Sequence, residues 1–210
     1  MTKQLIAGGL AALLATVALP AFAQSAGDWT VGVGVGYVQP KSDNGKLTAN
    51  NLEVDVDSST RPTVTAEYFV RDNLGIELLA SWPFTHDVDL EGLGKVAETT
   101  QLPPTLSLQY HFNGMAGAGS ISPFVGVGVN FTSFFDTDTK GALSGSKLEL
   151  DNSWGFAAHA GVDYRITDNG SVRADVRYLD IDSEAKLDGA KIGTVEVDPW
   201  VFGLSYVHKF

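Results

Sequence analysis

Regular alternation between bulky apolar residues and very small or polar residues is the feature that most constrains how this chain folds. Residues 29–40 read WTVGVGVGYVQP, in which Val31, Val33 and Val35 alternate with glycines. Because side chains alternate across a β-strand, one face of this segment is bulky and apolar and the other is nearly bare. A dinucleotide-binding fingerprint would be followed by a helix, whereas residues 39–45 read QPKSDNG and signal a turn. The segment therefore predicts a strand with two unlike faces and not a phosphate-binding loop.

The same alternation recurs along the chain and predicts eight strands. They cover residues 29–37, 62–70, 74–82, 105–112, 125–132, 148–166, 172–178 and 200–210. The longest run exceeds the usual strand of a soluble sandwich and is long enough to cross a bilayer when tilted. Short turns alternate with long Asp-rich connections, which is typical of outer-membrane barrels. We therefore predict an all-β fold, an eight-stranded antiparallel transmembrane β-barrel.

The N-terminal residues predict export. A positive charge at Lys3, an apolar run over residues 5–19 and the small-residue site AFA at 21–23 are the three parts of a signal peptide. We expect cleavage after Ala23 and one barrel domain over residues 24–210. The chain has no cysteine, which excludes disulfides and thiolate metal sites, and its formal net charge of -11 argues against nucleic acid as a partner. The predicted location is the bacterial outer membrane, with the N-terminus in the periplasm.

Aromatic residues cluster at the two ends of the predicted strands. Those at the short-turn end are Trp29, Tyr68, Tyr110, Phe112, Tyr164, Tyr206 and Phe210. Those at the long-loop end are Tyr37, Trp82, Phe84, Phe134, Phe135, Trp154 and Trp200. Amphipathic rings settle at bilayer–water interfaces, so two girdles around an apolar band predict a membrane protein. A soluble barrel would keep its large apolar side chains inside, whereas the inner faces here are small or charged.

Several short segments carry a family resemblance. They are residues 102–106 (LPPTL), 123–132 (PFVGVGVNFT), 151–155 (DNSWG), 178–182 (YLDID), 198–202 (DPWVF) and the terminal Phe210. In these segments and their order the chain resembles the OmpW family of bacterial outer-membrane proteins, over essentially the whole mature sequence. The resemblance implies an eight-stranded barrel that passes small hydrophobic molecules across the outer membrane. It also implies that the barrel-assembly machinery recognises Phe210, although His208 stands where an aromatic residue is commoner.

The inward-facing residues are predicted to form two layers. The lower layer is a salt-bridged floor made of Glu67, Glu77, Gln109, His111, Asp163, Arg165, Arg173, Asp175 and Arg177. The upper layer is a pocket that opens to the outside, made of Gly36, Val38, Leu79, Ser81, Thr132, Trp154, Gly155 and Ala157. Trp154 belongs to this set if a bulge at Asn152 turns its ring inward, whereas the alternation alone points it to lipid. Charges of both signs inside a membrane barrel pair with one another, so the floor is expected to be closed.

These layers predict a channel for the uptake of small hydrophobic molecules, which enter the pocket and leave sideways into the bilayer. Pro62 and Pro199 cannot donate to a ladder and mark places where the wall opens or where strands end. The expected partners are outer-membrane lipids, lipopolysaccharide, the barrel-assembly machinery and small hydrophobic solutes. No cofactor and no metal site is predicted, because residues 136–147 begin like a calcium loop but carry lysine where an EF-hand needs acids.

Two other classes of function remain open from the sequence. A passive structural or adhesive barrel without transport is the first alternative, and it would have a lumen filled by polar side chains throughout. An outer-membrane lipid-modifying enzyme is the second, although His86 and Asp87 lack a serine in any G-x-S-x-G motif. The sequence therefore predicts no catalytic residue, and the upper lumen is the feature that discriminates between a channel and a structural barrel.

Overall fold

The computed structural model describes residues 24–47, 52–113 and 120–210, so the predicted signal peptide lies outside the described residues. The strands are β1 (Trp29–Gln39), β2 (Lys46–Leu47), β3 (Leu52–Val56), β4 (Ser59–Arg71), β5 (Leu74–Ser81), β6 (Phe84–Leu90), β7 (Gly94–Leu102) and β8 (Thr105–His111). They continue with β9 (Ile121–Thr139), β10 (Leu148–Leu150), β11 (Ser153–Arg165), β12 (Gly170–Leu179), β13 (Asp182–Leu187), β14 (Ala190–Glu196) and β15 (Trp200–Lys209). A 3-10 helix covers Gly141–Leu143. Within these ranges no helix is long and apolar enough to cross a membrane.

Eight of these strands close into an antiparallel barrel, as the sequence predicts. The order around the barrel is β1, β4, β5, β8, β9, β11, β12 and β15. Closure is complete because β15 pairs with β12 on one side and with β1 on the other. A closed barrel leaves no unpaired strand edge, which is what a bilayer demands of a β-structure.

The two faces of the barrel wall follow the sequence pattern. Val33, Val35 and Leu204 point outward and are about half exposed, at 59%, 48% and 55%. Glycines face the lumen, where side chains from the next strand lie across them. A Cβ at Gly126 would overlap the His159 ring, so glycine is required there. The small inner face therefore makes room for the lumen's polar side chains.

The long connections form a second set of strands above the barrel. We call β2, β3, β6, β7, β10, β13, β14 and the outer part of β9 the extension; its ladder order is β10-β13-β14-β2-β3-β6-β7-β9. The prediction of long loops is wrong here. In β6, Phe84, His86, Val88 and Leu90 are buried while the residues between them are more exposed. The extension is thus apolar inside and polar outside, the reverse of the barrel, because it faces water and not lipid.

The prediction of one strand over residues 148–166 is also wrong. The run divides at Asp151 and Asn152 into β10, which pairs with β13, and β11, which pairs with β9. The Asn152 side-chain oxygen accepts a hydrogen bond from the Phe134 amide at 3.3 Å. Asn152 therefore ends one ladder and begins another at the junction between barrel and extension.

The hydrophobic core lies inside the extension and continues into the outer ends of barrel strands β1, β11, β12 and β15. It includes Val54, Phe84, Leu90, Val96, Ile181 and Val195. Phe84 was expected in the outer aromatic girdle, but it is 2% exposed and points inward. The girdle prediction also fails for Phe134, which packs against this core.

The closed barrel predicts a heat-modifiable protein. Unheated protein in detergent should migrate differently from boiled protein on a gel, because the ladder network resists the detergent until heat disrupts it. Circular dichroism of the unheated sample should show β-structure. Identical migration before and after boiling would contradict a closed barrel.

Candidate functional site

Arg173 is the centre of the charged floor. Its Nε donates to Asp163 Oδ1 at 2.7 Å, its Nη2 to Asp163 Oδ2 at 2.9 Å, and its Nη1 to Glu77 Oε2 at 2.7 Å. The Arg173 Nη2 atom also lies 3.6 Å from Glu67 Oε2. These residues come from β4, β5, β11 and β12, so one guanidinium links strands from different parts of the barrel.

Arg177 extends the floor by one step along β12. Its Nη1 lies 2.8 Å from Glu77 Oε1, and its Nε donates to Asp175 Oδ2 at 2.8 Å. The same Nη1 approaches His159 Nδ1 at 3.4 Å. Glu77 is therefore held between two arginines, and all five of these polar side chains are largely buried.

Neutral polar groups complete the floor. Gln109 Nε2 donates to Glu67 Oε2 at 3.0 Å, and Gln109 Oε1 lies 2.8 Å from His159 Nε2. His111 Nε2 lies 3.0 Å from Glu67 Oε1, and its Nδ1 lies 3.5 Å from Gln24 Nε2. His159 and Gln24 were not assigned to the floor from the sequence, although the alternation in β11 already placed His159 on the inner face.

Two phenylalanines fill the space around these charges. Phe69 and Phe124 are almost fully buried, and the Arg173 guanidinium carbon lies 4.4 Å from the centre of the Phe124 ring. The His111 ring lies between them, with centroid distances of 5.2 and 5.4 Å. Neither phenylalanine was identified from the sequence, although Phe69 lies two residues from Glu67 and therefore on the same face of β4.

Arg165 lies two residues beyond Asp163 on the same face and is half-buried.

The predicted pocket residues lie above the floor. The inward-facing members are Gly36, Val38, Leu79, Ser81, Thr132, Gly155 and Ala157. Val38 and Ala157, on barrel strands β1 and β11, belong to the hydrophobic core that continues into the extension. The inward alternative for Trp154 is wrong: its side chain is 73% exposed on the outer face and its ring lies 4.7 Å from that of Phe131. The strand is interrupted at Asp151 and Asn152, but this interruption does not turn the Trp154 side chain inward.

The apolar part of the interior lies higher than predicted, inside the extension. A cavity of about 30 Å³ remains there. Its lining includes Leu47, Val54, Val88, Val96, Leu148 and Val195, together with His86 and Gln101. A space of this volume holds about one water molecule, so side chains nearly fill the interior. The sequence signal for it was the short alternation LEVDV in residues 52–56 and FTHDVDL in residues 84–90.

Beside this cavity, the outer wall has an unpaired edge. β9 and β10 face each other without forming a ladder. A cleft of about 410 Å³ lies between them, and Phe134, Leu148 and Leu150 line both the cleft and the apolar cavity. Lys147 and Lys186 stand at the rim of the cleft with acidic residues. These three apolar side chains therefore lie between the cavity and the cleft.

His86 and Gln101 are the polar pair in the cavity wall. His86 Nδ1 lies 2.6 Å from the Asp57 backbone oxygen, and His86 Nε2 lies 3.0 Å from Gln101 Nε2. Burial, opposed by the hydrogen bond to the Asp57 carbonyl, lowers the pKa of His86. The imidazole is therefore neutral near pH 7, with its proton on Nδ1.

The barrel wall is interrupted where the barrel meets the extension. We call residues 80–83 and 102–104 the wall break. These two segments lie on neighbouring strands, but no ladder pair joins one segment to the other. The β5–β8 ladder stops at Thr105, and the β6–β7 ladder begins again at Gln101. Trp82, which is 60% exposed, lies in the wall break at the level of the outer aromatic girdle.

Prolines stand on both sides of the wall break, where they remove backbone donors. They are Pro62, Pro83, Pro103 and Pro104. The Trp82 amide donates to the Pro62 carbonyl at 3.0 Å, and proline has no N–H to return the bond. Arg61 Nε donates to the Pro83 carbonyl at 3.0 Å, and Asn130 Nδ2 lies 3.2 Å from the carbonyls of Pro103 and Pro104. The carbonyls of these prolines are thus bonded from other strands, and the Pro104 carbonyl also accepts from the Phe131 amide at 3.0 Å.

One acidic cluster lies at the base of the extension. Carboxylate oxygens of Asp180, Asp182 and Asp198 lie within 4.8 Å of one another. Lys41 Nζ donates to Asp198 Oδ2 at 3.0 Å. Burial and the neighbouring Asp198 raise the pKa of Asp182. The lysine therefore already supplies positive charge to these carboxylates.

Known proteins share this architecture. The sequence model of the OmpW family matches residues 25–210. Outer membrane protein W of Vibrio cholerae serotype O1 is 38% identical over 219 residues, covering 99% of this chain and 100% of that protein. The crystal structure of the outer membrane protein OprG from Pseudomonas aeruginosa is 36% identical, with a TM-score of 0.78 over 90% of this chain and 99% of that chain. The solid-state NMR structure of outer membrane protein AlkL in lipid bilayers is 25% identical, with a TM-score of 0.68 over 100% and 97% of the two chains.

These relatives are outer-membrane proteins, and the matches cover nearly the whole length of each relative and most of this chain. The protein is therefore a β-barrel of the bacterial outer membrane. It belongs to the OmpW family.

Proposed function

We propose that this protein takes up small apolar molecules from outside the cell and releases them sideways into the outer membrane through the wall break. The observation that carries the proposal is the order of layers along the barrel axis. An apolar interior lies above, a floor of paired charges lies below, and the wall is interrupted between them.

The free energy of transfer favours the sideways path. Burial of apolar surface contributes about 25 cal/mol per Å², and a solute that passes from the apolar interior into lipid keeps this contribution. Passage through the floor would instead separate Arg173 and Arg177 from their carboxylates, and an unpaired buried charge is very costly. The lipid route therefore has the lower barrier for an uncharged solute.

Access from outside is proposed at the unpaired edge between β9 and β10. Phe134, Leu148 and Leu150 separate the cleft from the cavity, and side chains can swing aside more easily than a paired ladder can open. Because the resting cavity has a volume of only about 30 Å³, a solute enters as these side chains and the extension strands yield.

Closing the wall break should block release. Replacement of Pro103 and Pro104 by valine restores two backbone donors and favours strand formation, so we expect initial uptake of a small apolar compound such as toluene to fall towards the rate of cells without the protein. The measurement is uptake of radiolabelled toluene by cells that carry equal amounts of folded barrel.

Pro123→Val is the matched control, because Pro123 lies in a paired part of β9, opposite Val162 and away from the wall break. Its uptake should equal that of the natural sequence. Unchanged uptake in the Pro103→Val/Pro104→Val variant would count against release through this part of the wall.

A structural barrel without transport is the second candidate, and the small cavity is the observation that favours it. A packed extension also suits a rigid surface protein. The two functions differ in whether the interior admits a solute: a structural barrel gives the same toluene uptake as cells without the protein.

A further inference from the structure

One buried polar atom in the cavity wall has no hydrogen-bonding partner. Gln101 is 1% exposed and lines the apolar cavity, yet its side-chain oxygen makes no hydrogen bond with any of the described residues. Buried polar atoms without a partner are rare in folded proteins, because leaving a buried acceptor unpaired is costly. An unpaired acceptor on a residue that lines an apolar cavity therefore calls for an explanation.

The hydrogen-bond chain fixes which atom of the amide is left over. The Asp57 carbonyl can only accept, so His86 must donate to it from Nδ1. A neutral imidazole then has only an acceptor at Nε2, so the Gln101 atom that faces it at 3.0 Å must be the amide nitrogen. The oxygen is consequently the atom that remains unpaired, and it can only accept.

We propose that the Gln101 side-chain oxygen accepts a hydrogen bond from the hydroxyl of a small, otherwise apolar solute, so that the cavity prefers alcohols and phenols to hydrocarbons of the same size. This inference rests on the proposed uptake of small apolar molecules and names a solute class within it. The remaining lining of the cavity, apart from His86 and the internally paired Thr99, is apolar and contacts the rest of such a molecule.

The position of Gln101 connects this preference to the route of release. Gln101 is the second last residue of β7, and the wall break begins at the next residue. On the other side of the break, the buried Ser81 hydroxyl oxygen also lacks a partner among residues 24–47, 52–113 and 120–210. A hydroxyl-bearing solute thus has a second polar contact on the inner face of the gap through which it leaves.

The test compares phenol with toluene, which have almost the same shape and differ in one hydroxyl. Purified mature protein in lipid nanodiscs is equilibrated with each radiolabelled compound, and binding to empty nanodiscs is subtracted to remove partition into lipid. The affinity ratio of phenol to toluene should be about tenfold higher for the natural sequence than for His86→Phe/Gln101→Met, since one buried hydrogen bond has about this effect.

The double variant is needed because Gln101→Met alone would expose His86 Nε2 as a new acceptor. His86→Phe alone keeps the Gln101 amide, either polar end of which can bond to a hydroxyl, and should keep the preference for phenol. Thr99→Val removes a polar group from the same wall that already bonds to Thr137 at 3.1 Å, so it should also leave the ratio unchanged.

The outcomes separate this inference from the proposed function. If toluene binds and the phenol-to-toluene ratio of the double variant is unchanged, the inference is overturned and the proposed uptake is not. A water molecule bound to the Gln101 oxygen would give this result. Absence of binding by both compounds overturns both proposals. If the double variant does not fold, NMR of the natural protein decides: phenol but not toluene should shift the Gln101 side-chain carbonyl resonance, and equal responses overturn the inference.

Discussion

Replacing Arg173 with methionine should lower the free energy of unfolding by about 3–5 kcal/mol, the usual effect of removing one partner from a buried ion pair. Methionine keeps much of the apolar volume beside Phe124 but leaves Asp163 without its bidentate partner and Glu77 with Arg177 alone. Urea unfolding of the barrel in lipid vesicles, followed by tryptophan fluorescence, measures the change.

The matched control is Lys191→Met, which removes an ion pair with Glu184 that lies on the surface of the extension. Exposed pairs contribute little to stability because water screens both charges, so this variant should unfold like the natural protein. Equal unfolding of the Arg173 and Lys191 variants would contradict a structural floor.

A double replacement of Arg173 and Arg177 by serine should also raise ion conductance in planar bilayers, and large conductance of the natural protein would contradict a closed floor.

The barrel was predictable because lipid imposes a strict rule on each strand. Outward residues such as Val33 and Leu204 must be apolar, so the alternation is long and clear, and it gave the strand number, the antiparallel closure and the inner face. The charges of the floor were predictable for the same reason: a charged residue of a membrane strand has only the lumen to face. Their pairing was not, because the sequence does not say which of several acids lies within reach of Arg173.

The extension was missed because water imposes the reverse pattern on strands that are shorter. Residues 52–56 alternate over only five positions, and the many aspartates resemble loop composition. Phe84 was assigned to lipid because it follows the apolar face of β5, but the chain passes the wall break at Trp82 and Pro83 and its inner and outer faces exchange. Trp154 shows the opposite case. The alternation of β11 continues without a break from Ser153 onward, so the position of Trp154 in this alternation already gave the correct outward direction.

The wall break was partly visible in the sequence. Proline at residue 62 indicated an interrupted ladder, but Pro199 and Asn152 were equally good candidates. Only the register distinguishes them, because the β5–β8 and β6–β7 ladders leave a gap beside Pro83, Pro103 and Pro104. Asn130 was not identified from the sequence, since the sequence does not say that its side chain lies beside the carbonyls of Pro103 and Pro104.

Filling the lumen between floor and extension should abolish uptake of toluene. Gly36→Trp is the suitable change, because a Cβ at Gly36 would lie 3.1 Å from Thr63 Cγ2, 3.6 Å from Val201 Cγ1 and 4.0 Å from Phe84 Cζ, all of them side-chain atoms that can shift. Gly155→Trp would not be informative, because a Cβ there would overlap the Asp180 backbone oxygen and the barrel itself would be disturbed. Uptake by cells with equal amounts of folded Gly36→Trp protein should equal that of cells without the protein.

Val35→Trp is the matched control, because Val35 is the adjacent residue of β1 and points to lipid, where an added ring remains outside the lumen. Its uptake should stay normal, and so should that of the variant with serine at both floor arginines wherever the barrel still assembles. Normal uptake in Gly36→Trp would mean that solute does not cross this level of the interior. Uptake that increases only when the floor is opened would place the route through the periplasmic end. In either case release through the wall break would be refuted, and the structural barrel would be the better account of the packed extension.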